Sequence, residues 1–238
     1  MIAVAAGHQR LLELWRERGQ QRISLCHVDF HDDLRDLLID RAARTARPLG
    51  RMRTRPLPPA DDGSFLAHAV IEGRLRSVRW VHGRPGGRAW DLGIVRYRSD
   101  LFSWLRIVRA GRERAFEFDE IEQARFRGLW AGEQLSIDWD FAAARQMEPA
   151  GIGLRVRDLL GRLGPNVPPE TFLCYSPAHC HPSLGAFREL AAELARRFGQ
   201  ELRFLEDLDS AGACAVPQPG PGLVQRAVLL LRRAGIVF

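Results

Sequence analysis

Apolar residues in this chain fall into short, nearly continuous runs, and between them lie stretches where apolar positions recur every three or four residues. The first pattern predicts strands buried on both faces, the second amphipathic helices packed over them. Met1 to Ala6 reads as a strand, and Gly7-His8 leads out of it. Leu11, Leu12 and Trp15 follow at helical spacing, Gly19 marks the stop, and Arg22 to Val28 returns as a second strand. Strand, helix, strand is the first unit of a parallel sheet. Ser64 stands where it would cap a helix running to Glu72, Gly73 ends it, and Leu75 to Val81 is another strand. Gln134 to Trp139 continues the series, and the alternation from Leu135 to Asp140 predicts that Asp138 and Asp140 share one strand face. A helix is predicted near Leu154 to Leu163, a loop over Gly164 to Pro169, and a buried strand from Thr171 to Tyr175 ending at Ser176-Pro177. Ser183 precedes the clearest helix, with Leu184, Phe187, Leu190, Leu194 and Phe198 on one stripe and Gly199 at its end.

Other stretches are less regular. Residues 34 to 63 include four prolines between Arg47 and Pro59, followed by Asp61-Asp62-Gly63, and read as a loop near the site. Residues 88 to 125 read as short strands and turns. Arg84-Pro85-Gly86-Gly87-Arg88 has the glycines of a phosphate loop without its Lys-Ser/Thr, and reads as a turn. A Pro/Gly loop at Pro217 to Pro221 and an amphipathic helix from Leu223 to Arg233 complete the reading. The expectation is one domain over residues 1–238, of the α/β class, with a mainly parallel sheet in a three-layer α/β/α arrangement.

Composition narrows the class. At 238 residues and 46% hydrophobic, the chain can bury one sizeable core without division. Its longest apolar runs are brief and broken by arginine, so no membrane span is predicted, and the apolar start lacks a basic n-region. The net charge of +6 comes from arginine, since lysine is absent. Those arginines are dispersed, which argues against a nucleic-acid arm and leaves a surface able to steer an acidic peptide. Cys26, Cys174, Cys180 and Cys214 form no CxxC pair and read as reduced thiols of a cytoplasmic protein.

Candidate chemistry concentrates in Leu25-Cys26-His27-Val28-Asp29-Phe30-His31-Asp32-Asp33. On an extended backbone Asp29 and His31 point the same way, and Asp33 follows where the strand runs into a loop. An acid, an imidazole and an acid at this spacing suit a hard or borderline divalent cation. Asp138 and Asp140, at the carboxyl end of an apolar strand, are costly unless a cation or hydrogen bonds compensate them. Ligands of open α/β sheets gather at the carboxyl ends of strands, so His8, Asp29, His31, Asp33, Asp138 and Asp140 are expected to converge. Two imidazoles and four carboxylates fit two divalent ions, and the oxygen-rich mix favours Mn²⁺ over Zn²⁺. His27 and Asp32 are expected behind these ligands as supporting partners. His82, His179 and His181 read as structural or surface groups, the last two on a loop lining the pocket.

In these motifs the sequence resembles the arginase (ureohydrolase) superfamily. Ala6-Gly7-His8 echoes its Gly-Gly-Asp-His motif, Asp29-Phe30-His31-Asp32-Asp33 its Asp-Ala-His-x-Asp motif, and Ser136-Ile137-Asp138-Trp139-Asp140 its Ser-x-Asp-x-Asp motif, in the family's order. The resemblance implies a parallel sheet between helical layers and two Mn²⁺ ions. Asp29 and Asp138 would bridge the ions, His8 and Asp33 would complete one site, and His31 and Asp140 the other. Ser64-Phe65-Leu66-Ala67-His68-Ala69 through Trp80-Val81, and Cys174-Tyr175-Ser176-Pro177 before a long helix, look like a compact branch of the superfamily. That branch includes the peptide arginases, which convert arginine side chains of precursor peptides to ornithine.

The activity so implied is hydrolysis of a guanidinium, releasing urea, with Asp33 passing a proton to the leaving amine and His68 as the candidate proton shuttle. Two departures bear on the substrate. Phe141-Ala142-Ala143-Ala144 stands where the family usually has Asp-Pro, and Leu34 to Arg55 lacks the segment that grips the α-groups of free arginine. The second favours a substrate whose α-groups are already in peptide bonds. An agmatinase-like or deacetylase-like hydrolase of a small guanidino or amide substrate stays open beside it. So does a binding protein that keeps the fold without the chemistry, although all six apparent ligands are retained.

Overall fold

Alternation within the apolar runs decides the architecture. A computed structural model describes residues 1–83, 94–96, 111–145 and 147–211. The chain runs β1 (Ile2–Ala5), α1 (Gln9–Glu17), β2 (Ile23–Val28), β3 (Leu37–Asp40), β4 (Thr45–Pro48), α2 (Phe65–Ile71), β5 (Leu75–His82), β6 (Ile94–Arg96), β7 (Arg114–Ala115), β8 (Glu117–Glu122), β9 (Gln134–Asp138), α3 (Asp140–Ala143), α4 (Ile152–Arg162), β10 (Thr171–Cys174), α5 (Leu184–Phe198), β11 (Leu202–Phe204) and α6 (Leu208–Ala211). The expected helix from Leu223 to Arg233, the Pro217–Pro221 loop, the Arg84–Arg88 turn and Cys214 lie outside the described residues.

Strand β1 sends Ala3 and Ala5 into one apolar core and Ile2 and Val4 into another, and β2 divides Leu25 from Cys26 and Val28 in the same way. A sheet buried on both faces needs helices on both faces. Leu11, Leu12 and Trp15 of α1 and Phe65 and Leu66 of α2 fill the first core, while Phe141, Leu159, Phe187 and Leu190 of α3, α4 and α5 fill the second. The fold is therefore three-layered α/β/α. Its central sheet has seven strands in the order β11-β1-β10-β9-β2-β5-β8, and every pair is parallel.

Strand order positions the site. β1 and β2 follow one another in the chain, yet β10 and β9 lie between them in the sheet. Connections that leave a parallel sheet in opposite directions open a crevice above the carboxyl ends, where ligands bind. Here the carboxyl ends of β1, β10, β9 and β2 border that crevice side by side.

Several expectations are corrected. Residues 34 to 63, read as a loop, contain the hairpin β3–β4, which pairs Leu37 with Pro48 and Asp40 with Thr45. With β6 and β7 it forms a second, four-stranded sheet in the order β6-β3-β4-β7. Its partners come from far along the chain, which local patterning does not reveal. Ser64 occupies the helix-capping position without capping: its hydroxyl donates to Asp61 Oδ1 at 2.5 Å and accepts the Asp61 N–H at 3.1 Å, closing a turn. Ser183 likewise donates to the His181 carbonyl, at 2.9 Å, instead of capping α5. Among the described residues no helix is long and apolar enough to cross a membrane.

Candidate metal centre

The six anticipated ligands meet at the crevice, but by turns and not by strand alternation. Strand β2 ends at Val28, and the His31 N–H folds back to Asp29 Oδ1 at 2.6 Å. Asp32 accepts the Leu34 N–H at 3.0 Å, and Asp33 takes a left-handed backbone with φ of 52°. Non-glycine residues in that region are uncommon and cluster at functional sites. Strand β9 similarly ends at Asp138. Asp140 belongs to the first turn of α3, and so does not share a strand face with Asp138 as the alternation predicts. The Trp139 N–H still bonds the Cys174 carbonyl at 2.8 Å, and the Asp140 N–H donates to Asp138 Oδ1 at 3.2 Å, so the chain turns immediately after the strand.

These turns bring the side chains together. His8 Nδ1 lies 3.1 Å from Asp33 Oδ2, 3.2 Å from Asp138 Oδ2 and 3.5 Å from Asp29 Oδ2. His27 Nε2 lies 3.1 Å from Asp29 Oδ2 and 3.5 Å from Asp33 Oδ2. On the other side His31 Nδ1 is 2.9 Å from Asp140 Oδ2 and 3.9 Å from Asp29 Oδ1. Asp140, Asp138 and the Asp29 backbone are held from behind. Asp140 Oδ1 accepts the Phe30 N–H at 2.9 Å, Ser176 Oγ donates to Asp138 Oδ2 at 2.7 Å, and the Trp80 indole holds the Asp29 carbonyl at 3.1 Å. The Phe65 ring stacks on His8 with centroids 4.9 Å apart.

Burial makes this crowding expensive. His8, Asp29, Asp33, Asp138 and Asp140 are all buried, whereas the His31 side chain is 33% exposed and marks the open side. Both ring nitrogens of His8 and of His27, with Asp29 Oδ2 and Asp33 Oδ2, are buried without a hydrogen bond. Buried polar atoms without partners cost about 1–3 kcal/mol each, and more when charged. A divalent cation would satisfy them, and imidazole with carboxylate is the donor chemistry such a cation takes. The residues therefore fit a metal. Ligand atoms of His8, His27 and Asp29, of His8, Asp138 and Cys174, and of Asp29, His31 and Asp140 each lie within 4.8 Å of one another.

The electrostatics agree. Burial, and then the charges of Asp140, Asp33 and Asp138, push Asp29 well above the usual carboxylate range. Burial and Asp140 raise Asp138 to about 8. Burial alone would lower His8, but Asp138 and Asp33 outweigh it and lift the imidazole to about 9. His27 is lowered by burial. Burial opposes ionisation of Asp33 and Asp140 too, yet His27 and His8 hold Asp33 low and His31 holds Asp140 low. Without a cation the centre must carry protons instead.

Not every expected residue stands where the sequence suggests. His27 approaches Asp29 as closely as His8 approaches Asp33, and supplies a potential ligand atom as well as support. His68 is buried on α2, one turn beyond Phe65. Asp32 is buried, with Oδ1 taken by the Leu34 N–H. His179 sits at the open side, its ring 6.2 Å from His31, and His181 Nε2 meets the Met147 carbonyl at 2.9 Å. Sequence reasoning missed Cys174, Ser176 and Asp62, whose Oδ1 accepts the His8 N–H at 3.0 Å. A thiol and a hydroxyl closing a buried parallel strand were the available signal.

What the fold and the site define is a parallel α/β protein with a donor set that fits a divalent cation at its switch point. Two solved structures are similar to it. One is the arginase from Medicago truncatula, with a TM-score of 0.47 and 17% identity over 83% of this chain and 58% of that one. The other is the proclavaminate amidino hydrolase from Streptomyces clavuligerus, with a TM-score of 0.47 and 14% identity over 83% of this chain and 63% of that one. This chain thus spans less than two thirds of either structure. No family model matches it, and no curated protein does.

Proposed function

We propose that this chain is a metal-dependent hydrolase of C–N bonds, and more narrowly an arginase-type amidinohydrolase holding two Mn²⁺ ions. One observation carries the reading: two imidazoles and four carboxylates meet at the crevice, with buried donor atoms left without hydrogen bonds. His8 and Asp33 would hold one ion, His31 and Asp140 the other, and Asp29 and Asp138 both. Bound ions supply a water acidified toward neutrality and positive charge beside the reacting carbon.

The chain's own groups do the rest. The His31 N–H and the Ser176 hydroxyl fix the orientation of Asp29 and Asp138. Asp33, close to His8 and His27, takes the proton of the attacking water and returns it to the leaving amine. Water adds to the guanidinium carbon, the bond to the side-chain nitrogen breaks, and urea and an ornithine side chain result. The substrate enters past the exposed face of His31 beside His179. His68 is the candidate to relay the proton onward.

The proposed substrate is an arginine side chain within a peptide. The stretch from Leu34 to Arg55 supports this, because it lacks the segment that grips the α-groups of free arginine and folds instead around the β3–β4 hairpin. Mn²⁺-loaded protein should release urea from arginine-containing peptides, with ornithine seen by mass spectrometry, and not from free arginine or agmatine. Urea from agmatine alone would replace the peptide reading with a small-guanidine one, and metal binding without urea from any of them would refute hydrolysis.

A further inference from the structure

We propose that Cys174 is a further ligand, beside His8 and Asp138, to the cation on the His8 side, so that one position of the centre carries a thiolate. This rests on the cation site of the proposed function but not on its reaction. Strand β10 lies between β1 and β9, and its register pairs Cys174 with Ala5 on one side and Asp138 on the other. Paired residues of adjacent parallel strands project from the same face at one strand spacing, about 5 Å. The thiol, the Asp138 carboxylate and the His8 ring thus come from the carboxyl ends of three adjoining strands. One donor atom from each lies within 4.8 Å of the other two, and all three residues are buried.

A cysteine in a core needs no ligand to explain it. What points to one is His8, fully buried, with neither ring nitrogen hydrogen-bonded and Nδ1 only 3.2 Å from Asp138 Oδ2. The thiol itself sits in a polar surround, 3.2 Å from the Ala6 carbonyl and 3.1 Å from Ser176 Oγ, which in turn donates to Asp138. On metal binding the S–H bond would break, its proton would pass to solvent and the sulfur lone pair would go to the cation. The sulfur would turn from the Ala6 carbonyl, which it could no longer donate to, and Ser176 would stay as a hydrogen-bonding neighbour. A thiolate shifts preference toward Zn²⁺, Co²⁺ and Cd²⁺ and away from Mn²⁺.

Co²⁺ tests this without any assay of turnover. Metal-free protein titrated with Co²⁺ should show visible d–d bands and, in the near ultraviolet, a sulfur-to-metal charge-transfer band. The Cys174→Ser variant should keep the visible bands and lose the ultraviolet one, with Zn²⁺ affinity at least about tenfold lower. Cys26→Ser, Cys180→Ser and Cys214→Ser should retain it. Bound Co²⁺ with no charge-transfer band in the unaltered protein would overturn the thiolate alone, even if Cys174→Ser failed to fold. A band that vanished with Cys180 or Cys214 would overturn it as well. No Co²⁺ binding at all would overturn the cation centre and this proposal with it.

Discussion

Asp138 holds a proton at neutral pH, and Asp29 is pushed the same way, for a reason that predicts how cations bind. Burial and neighbouring carboxylates raise both, Asp138 to about 8, and His8 is raised to about 9. The metal-free protein at pH 7 therefore carries protons that a cation must displace. Mn²⁺ binding should release protons near pH 7 and tighten as pH rises, levelling off above about 9, where Asp138 and His8 have already lost theirs. Calorimetry in two buffers of different ionisation enthalpy measures the release, and an affinity flat from pH 6 to 9 would contradict it. The same groups set metal-free stability with the opposite slope. An unfolded aspartate ionises near its ordinary 3.8, so the contribution from Asp138 is full below that value and is lost as pH climbs through about 8. Asp29→Asn replaces a carboxyl whose ionisation burial and its neighbours oppose with a neutral amide that cannot bridge a cation. It should abolish the rise in Tm that Mn²⁺ gives while leaving the metal-free Tm unchanged or raised, by about 1 kcal/mol of stability. Most of these residues were legible because acids and imidazoles two apart at the end of an apolar strand are costly there unless a cation binds them. Cys174 was not, since a cysteine within an apolar run is ordinary core until the sheet order places β10 beside His8 and Asp138.

At the scale of elements, the sheet was read wherever a strand was buried on both faces. β1, β2 and β10 are largely apolar runs, β9 places Leu135 and Ile137 between polar residues, and α5 shows its stripe directly. The β3–β4 hairpin was hidden because Leu37, Leu38 and Ile39 stand among arginines and prolines and pair partly with distant residues. β8 alternates acids with Phe118 and Ile121, a pattern weak in isolation that becomes an edge strand only beside β5. The connection from β8 to β9 rests on backbone geometry. Gly128 has φ of 97°, and a Cβ there would meet the Leu163 carbonyl oxygen at 2.9 Å, while its own carbonyl accepts from Arg79. Gly132, with φ of 79°, has open space around it. Gly132→Ala should cost only the left-handed penalty, about 1 kcal/mol, and Gly128→Ala about 3 kcal/mol because helix α4 must also shift. Urea denaturation of the two variants tests the difference, and equal losses would mean that the Leu163 contact yields freely.

The whole molecule couples the centre to both cores, because the strands that end at the cation site are the ones that separate those cores. Cys26 in β2 and Cys180 beyond β10 lie in the core on the far face from α1 and α2, as free, buried thiols. Burial raises Cys26 to about 12 and raises Cys180 as well, so neither offers thiolate or access while the fold is intact. Alkylation of these two should therefore proceed only through opening of the core. If that opening is global, a cation bound solely by the folded state slows it by mass action. At a free concentration of about 100 Kd the stabilisation is about 2.7 kcal/mol, so labelling of both cysteines should slow by about 100-fold. Peptide mapping after timed alkylation, with Mn²⁺ or with chelator, reads each site separately. Equal slowing at Cys26, three residues before Asp29 in the chain, and at Cys180, in the loop after β10, would mean that the centre and the core open as one unit. Slowing at Cys26 alone would mean that the Ser176–His181 loop opens independently, and that the site's outer wall is a separate, weaker unit of the fold.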